Sequence, residues 1–305
     1  MKFGRLSDIS NVDFSLPVAP TYTKETLDKF SVAPAPALYV GCTGWSMKEW
    51  LGQIYPKKTK TKDYLKHYTK QFNTIELNTT HYRIPNAATI EKWYNESTED
   101  FRFCPKIPQS ISHSNGLGLN DGKLSTFCEA IAGLQEKIGC CFMQMPPYFD
   151  AKRLGILATF LDHWPASIPL SVEVRHESWF ADQVTTLSLA ELLAGKNCAF
   201  VITDVAGRRD VIHQMLTNNK AVIRFNGNDL HPTDYTRIDE WVAQLKTWFD
   251  QGLREVYFFT HEPDNIRAPE IALYLVEKAK AIIPNVATRG PKFIEEQGQQ
   301  LTLLF

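Results

Sequence analysis

The sequence predicts an α/β protein: a single-domain, closed (β/α)8 barrel with an N-terminal extension and a C-terminal tail. Two observations carry the prediction. Eight short runs rich in β-branched and aromatic residues recur along the chain, and between them the apolar spacing changes from a period of two to one of about 3.6. Strand and helix patterns that alternate in this way fit a parallel barrel. The rival is an open doubly wound sheet, which usually carries a nucleotide fingerprint after its first strand. Here that turn reads Gly41-Cys42-Thr43-Gly44-Trp45. The near match Gly116-Leu117-Gly118-Leu119-Asn120-Asp121-Gly122 misses G-x-G-x-x-G by one residue and follows no strand closely. No Walker A motif occurs, and no cofactor is expected.

Residues 1–36, with Pro17, Pro20, Pro34 and Pro36 and little periodicity, form the extension, and the barrel spans 37–283. Strands are expected at 37–42, 73–78, 101–106, 139–145, 170–175, 197–203, 220–225 and 255–260. The clearest helices follow the third and seventh strands. There Leu124, Phe127, Cys128, Ile131 and Leu134, and then Ile238, Trp241, Val242, Leu245, Trp248 and Phe249, each fall on one helical face. Weaker patterns place helices at 64–72, 90–94, 154–161, 187–194, 211–216 and 271–279, so that one helix follows every strand. Periodicity stops beyond Pro284, leaving a tail at 284–305.

At 305 residues the chain buries a large core without a metal or disulfide staple. Its six cysteines contain no C-x-x-C pair and lie mostly in apolar runs, as reduced core residues do. The first thirty residues hold no apolar signal region and no stretch approaches 18 apolar residues, which predicts a cytoplasmic protein that does not cross a membrane. A net charge of −1 excludes a generally basic surface, so a polyanion site must be a local patch.

A barrel places its chemistry at the carboxyl ends of the strands. In strand order those ends carry Glu76 and Asn78, Lys106, Gln144, Glu173 and Arg175, Asp204, Arg224 and Asn226, then His261. Alternation points Glu76 with Asn78, and Glu173 with Arg175, to one side. Three acids (Glu76, Glu173, Asp204) face three bases (Lys106, Arg175, Arg224). Interleaved cations oppose a divalent metal and favour a phosphate or carboxylate, although His81, His113, His176 and His261 leave a metal open. The same set also reads as a structural ring of salt bridges. Trp45, Tyr82 and Trp179 lie in the neighbouring loops, where flat faces beside cations suit sugars or unstacked bases; taken singly, each is better explained by core packing, and the group is better evidence than its members. No G-x-S-x-G elbow is present. Proton transfer by Glu76, Glu173 or Asp204 is the plausible chemistry, and a desolvated Lys106 would suit Schiff-base formation.

Several strings stand out together: Val40-Gly41-Cys42-Thr43-Gly44-Trp45, Phe72-Asn73-Thr74-Ile75-Glu76-Leu77-Asn78-Thr79-Thr80 with Tyr82, and Phe103-Cys104-Pro105-Lys106 with His113. Gln144-Met145-Pro146-Pro147, Glu173-Val174-Arg175-His176 with Trp179, Asp204, and Arg224-Phe225-Asn226-Gly227 follow in order. In this order they resemble the YecE-like family, domain of unknown function 72. The resemblance implies a TIM-type barrel and supplies no reaction; a link to DNA has been suggested from likeness to barrel endonucleases, whose metal-binding acids and histidines are not reproduced here. His81, and the stretch Phe259-Thr260-His261-Glu262-Pro263-Asp264-Asn265, depart from the family pattern.

The chain closes on Gln300-Leu301-Thr302-Leu303-Leu304-Phe305 after a polar stretch. This hexapeptide resembles the tails with which bacterial DNA-processing proteins hold the sliding clamp, with Gln300, Leu301, Leu303, Leu304 and Phe305 as the contacts. It reads equally as a strip of core cover. The expectation is a protein that binds a phosphate-bearing small molecule or nucleic acid at the strand ends. Lys106, Arg175 and Arg224 would hold the anion, Trp45 and Trp179 would stack, and Asn78, Tyr82, His113, Gln144, His176 and Asn226 would line the site. A sugar or sugar-phosphate isomerase or lyase, and a non-catalytic adaptor, are the alternatives.

Overall fold

The computed structural model describes residues 4–294; the predicted docking peptide at 300–305 lies outside them. In chain order the elements are α1 (Thr21–Leu27), β1 (Ala37–Gly41), α2 (Tyr64–Gln71), β2 (Thr74–Leu77), α3 (Thr79–Tyr82) and α4 (Ala87–Glu96). Then come β3 (Arg102–Pro105), α5 (Gln109–Ser112), α6 (Lys123–Ala132), β4 (Cys141–Gln144), α7 (Leu154–His163), β5 (Leu170–Glu173), α8 (Gln183–Gly195) and β6 (Ala199–Asp204). Last are β7 (Lys220–Asn226), α9 (Pro232–Asp250), β8 (Glu255–His261), α10 (Ala268–Ile282) and β9 (Ala287–Thr288). Every strand pairing is parallel. One sheet runs β4-β5-β6-β7-β8-β1-β9, and β2 with β3 forms a second.

Burial follows the predicted periodicity. Leu124, Phe127, Cys128 and Ile131 of α6 are buried, as are the six apolar residues of α9. Local chemistry starts the helices: the Asn86 side chain accepts from Thr89 N–H, Asp182 from Thr185 N–H, and Pro232 opens α9 without wasting a donor. Strands β2, β4, β5 and β6 are buried throughout, as parallel strands covered on both faces must be. Alternation sorts their side chains. Tyr39, Cys104, Phe142, Val201, Val222, Tyr257 and Phe259 gather in a small cluster that contains no helix residue. Their neighbours one step along, such as Leu38, Val40, Ile223 and Phe258, join the larger core shared with the helices.

The joint between β1 and β2 is built by side chains. Asn73 accepts from Val40 N–H and donates to Leu38 O, and the Tyr68 hydroxyl accepts from Cys42 N–H and donates to Thr74 O. One backbone bond, Glu76 N–H to Cys42 O at 3.1 Å, completes it. Close approach demands glycine at 41, where a Cβ would sit 2.1 Å from Thr74 O.

Two regions differ from expectation. The predicted helix at 211–216 does not form: a single 3-10 turn, Arg209–Val211, is followed by extended chain up to β7. The N-terminal segment covers that stretch instead. The Thr23 hydroxyl donates to Gln214 O and accepts from Leu216 N–H, and the Gln214 amide donates to Pro17 O. Apolar Val211, Met215 and Leu216, all buried, thus need no helix of their own to be shielded. The tail after 284 is also seated where it is described. β9 pairs with β1, and the Arg289 guanidinium binds Phe72 O and Asp100. All six cysteines are buried and free. Among the described residues, no helix is long and apolar enough to cross a membrane.

Candidate functional site

The carboxyl ends of β2, β3, β4, β5, β7 and β8 converge on one hydrogen-bonded charge network. Glu76 and Glu173 are 0% and 1% exposed, and the Arg224 guanidinium lies between them. Its Nε and Nη2 donate to the two Glu76 oxygens at 2.8 and 3.0 Å, and its Nη1 donates to Glu173 Oε2 at 3.0 Å. Asn78 Nδ2 donates to Glu76 Oε1 at 3.0 Å, and His261 Nε2 meets Glu76 Oε2 at 3.1 Å. Arg175 Nε donates to Glu173 Oε1 at 2.6 Å and Gln144 Nε2 to Glu173 Oε2 at 3.0 Å. The Gln144 carbonyl in turn accepts from Lys106 Nζ at 3.1 Å. The Phe142 ring lies under both cations, 5.5 Å from Lys106 Nζ and 4.9 Å from the Arg224 guanidinium carbon.

Burial alone would raise the Glu76 carboxyl, but Arg224 and His261 outweigh it and hold it well below the usual range. For Glu173, burial is outweighed by Arg175 and Arg224, which bring it to about 2. Both are therefore ionised, and a bidentate guanidinium keeps them so. Lys106 is different: burial, then Arg224, lower it to about 8. Burial also lowers His261 despite Glu76. Among the described residues, the carboxylates of Glu76 and Glu173 meet Arg175, Arg224 and Lys106 in this network.

Glu76, Asn78, Lys106, Gln144, Glu173, Arg175 and Arg224 are thus brought together, and His261 joins them. Arg224 differs from its predicted role, since three of its donors are consumed by carboxylates rather than offered to a ligand. Asp204 does not belong. Its oxygens accept from Arg209, from Arg237 and, at 2.8 Å, from Trp241 Nε1. Arg237 and Arg209 also sandwich Phe14 of the N-terminal segment, at 4.8 and 5.4 Å. That carboxylate anchors the extension, and with all its lone pairs engaged it is not placed for proton transfer.

The aromatics are corrected as well. Trp179 is 1% exposed, its indole donating to Phe149 O, so it presents no open face. Trp45 packs edge-on against Trp93, on the helix side. His176 caps its own turn through Ser178. Tyr82 is 80% exposed and meets His81 edge-on, and His81 faces His113 at 5.5 Å. These three rings line a cleft of about 540 Å³ with Gln109, Ser110 and Ser114, near enough to Lys106 and Arg175 for both cations to act on His81 and His113. Burial pushes His81 down to about 4. Asn226 lines another cleft, of about 490 Å³, which meets the network at His261. Glu262 lies there too, and sequence reading passed it over. Its adjacency to His261 was the available signal, but an acidic residue one step past a strand end looks like a solvated loop position.

Among the described residues, no group of three His, Cys, Asp or Glu is arranged to hold a metal ion. The family described as "Protein of unknown function DUF72" matches residues 39–293. The chain is 30% identical to the UPF0759 protein YecE of Escherichia coli K12 over 267 residues, 82% of this chain and 95% of that one. It is 28% identical to the UPF0759 protein YunF of Bacillus subtilis, covering 63% and 71% of the two chains. A crystal structure of a DUF72 family protein from Enterococcus faecalis superposes with a TM-score of 0.63 at 20% identity, covering 85% of this chain and all of that one. Family match and identity, together spanning most of the length, establish that this chain belongs to the DUF72 family of proteins of unknown function.

Proposed function

We propose that the eight strands act as a closed (β/α)8 barrel whose carboxyl-end face binds a small anionic metabolite and exchanges protons with it through Lys106. Closure is supported at both breaks between the sheets: by the Glu76–Cys42 backbone bond, and by Gly139 N–H to Phe103 O at 2.7 Å and Ile107 N–H to Phe142 O at 2.8 Å. The observation that carries the ligand reading is the pairing of Lys106. This ammonium is 8% exposed, yet its hydrogen-bond partner is the amide oxygen of Gln144, and among the described residues no carboxylate pairs with it. An unpaired buried cation is costly, and a ligand carboxylate or phosphate would relieve the cost.

A group poised at about 8 both gives and takes a proton near neutrality, which is what an isomerase or lyase requires. Lys106 and Arg224 are buried and Arg175 half-buried rather than laid along an open groove, which favours a small molecule over nucleic acid. Isothermal titration with inorganic phosphate, pyruvate and glucose 6-phosphate tests the reading. At least one should bind, about ten-fold weaker in Lys106→Met. Absence of binding, or the same affinity in the variant, would sink it.

A second reading, recruitment to the bacterial sliding clamp, is favoured by the sequence of residues 300–305 alone. Fluorescence anisotropy of the full chain and of a Gln300→Ala/Phe305→Ala variant against a sliding clamp decides it: binding lost in the variant supports docking, and no binding by either protein refutes it.

A further inference from the structure

We propose that the cleft between the loops after β7 and β8 and the N-terminal segment is a second ligand site, one that receives a protonated primary amine through Glu262. The cleft holds about 490 Å³, with Leu6, Asn226, Gly227, Asp229, Glu262 and Asn265 among its lining. That volume lies within the roughly 300–1,000 Å³ of small-molecule sites. Glu262 is 5% exposed. Its Oε2 accepts from Asp229 N–H at 2.8 Å, while Oε1 is buried with no hydrogen-bond partner among the described residues. Gly227 makes room for that oxygen, since a Cβ there would stand 2.1 Å from it. Asn265 Oδ1, in the same lining, is likewise buried and unpartnered. Two unsatisfied acceptors in one cleft call for a donor.

Charge selects the donor. Arg267 is taken up by Asp229 and Glu270, and Arg237 by Asp204 and Asp234, so neither serves Glu262. His231 is engaged by Thr233 and His261 by Glu76, and Arg5, also in the lining, is exposed. Burial, then the nearby Asp234, push the Glu262 carboxyl up to about 7. Loops after the seventh and eighth strands of such barrels frequently hold phosphate. Here the lining carboxylate left without a cation among the described residues is Glu262, whose free oxygen favours a hydrogen-bonding cation at that position over an anion. An ammonium fits better than a metal ion, because the free acceptors are one carboxylate oxygen and one amide oxygen, too few for a hard cation. The opposing loop is held in left-handed backbone at Asp229 and Leu230, φ 62° and 57°, strain of the kind that collects at ligand clamps.

The test uses the full chain labelled with ¹³C at glutamate carboxyls, titrated with ethanolamine, with ethylene glycol as its uncharged match, and with magnesium. Ethanolamine should shift the Glu262 resonance saturably and draw its titration below about 7, while the other two leave it unmoved. Affinity should fall about ten-fold in Glu262→Gln, which still accepts from Asp229, and about three-fold in Asn265→Ala, which leaves the carboxylate in place. No response of Glu262 to the amine overturns the proposal. So does an equal response to ethylene glycol or magnesium, or unchanged affinity in both variants.

Discussion

Glu173 closes β5 and Glu262 follows β8 of the same sheet, 1% and 5% exposed, and the two carboxyls are shifted in opposite directions. Glu173 is held at about 2 because Arg175 and Arg224 overcome its burial. Glu262 rises to about 7 because burial is reinforced by Asp234 and opposed only by backbone donors. Burial is nearly constant across the pair, so it is the presence of a guanidinium that decides which carboxylate is a fixed charge and which is a titrating one. Glu173 is therefore fully paired, whereas Glu262 has no cation among the described residues.

The comparison breaks most violently if Arg224 is removed. Arg224→Met leaves buried Glu76 without a guanidinium and Glu173 with Arg175 alone, and should cost about 3–5 kcal/mol, read as a lower urea midpoint at pH 7. A variant as stable as wild type would mean that the network contributes nothing.

Next in size is Glu262→Gln. The raised carboxyl binds its proton more tightly in the folded state, so its ionisation destabilises the fold progressively as pH rises from the ordinary 4.5 through about 7. The glutamine variant should therefore gain about 3 kcal/mol over wild type at pH 8 and nothing at pH 4. The depressed Glu173 predicts the reverse: its contribution is complete above 4.5 and is lost as pH falls through about 2. Urea melts from pH 3 to pH 8 separate the two.

A smaller effect sharpens the role of pairing. Lys106→Met removes a buried cation that leans on an amide, and should change stability by less than about 1 kcal/mol. A loss as large as that of Arg224→Met would show that Lys106 belongs to the paired region after all. Smallest of all, Lys246→Ala breaks an exposed i,i+4 pair with Asp250 and should cost about 0.3 kcal/mol, setting the scale for charge pairs in water.

Much of this was legible beforehand, for local reasons. Glu76, Lys106, Gln144, Glu173 and Arg224 were readable as one set because each closes a strand-like run. The α9 stripe was readable because 3.6-residue periodicity survives without any knowledge of what it packs against. Residues 211–216 misled because apolar spacing reports burial, and burial there is supplied by the N-terminal segment rather than by a helix. Asp204 misled for a related reason: its strand-end position matched that of Glu173, but Arg237 reaches it from α9.

By itself, then, the sequence determined where the eight strands and the longer helices run and which side chains stand at the strand ends, since both follow from short-range alternation and periodicity. Tertiary structure alone decided the partners. Arg224 meets Glu76 across a separation of 148 residues, Arg209 binds the backbone of Phe14 across 195, and Glu262 meets no cation among the described residues. Coulomb energy and desolvation depend on distance and burial in space, and neither can be read from position along the chain.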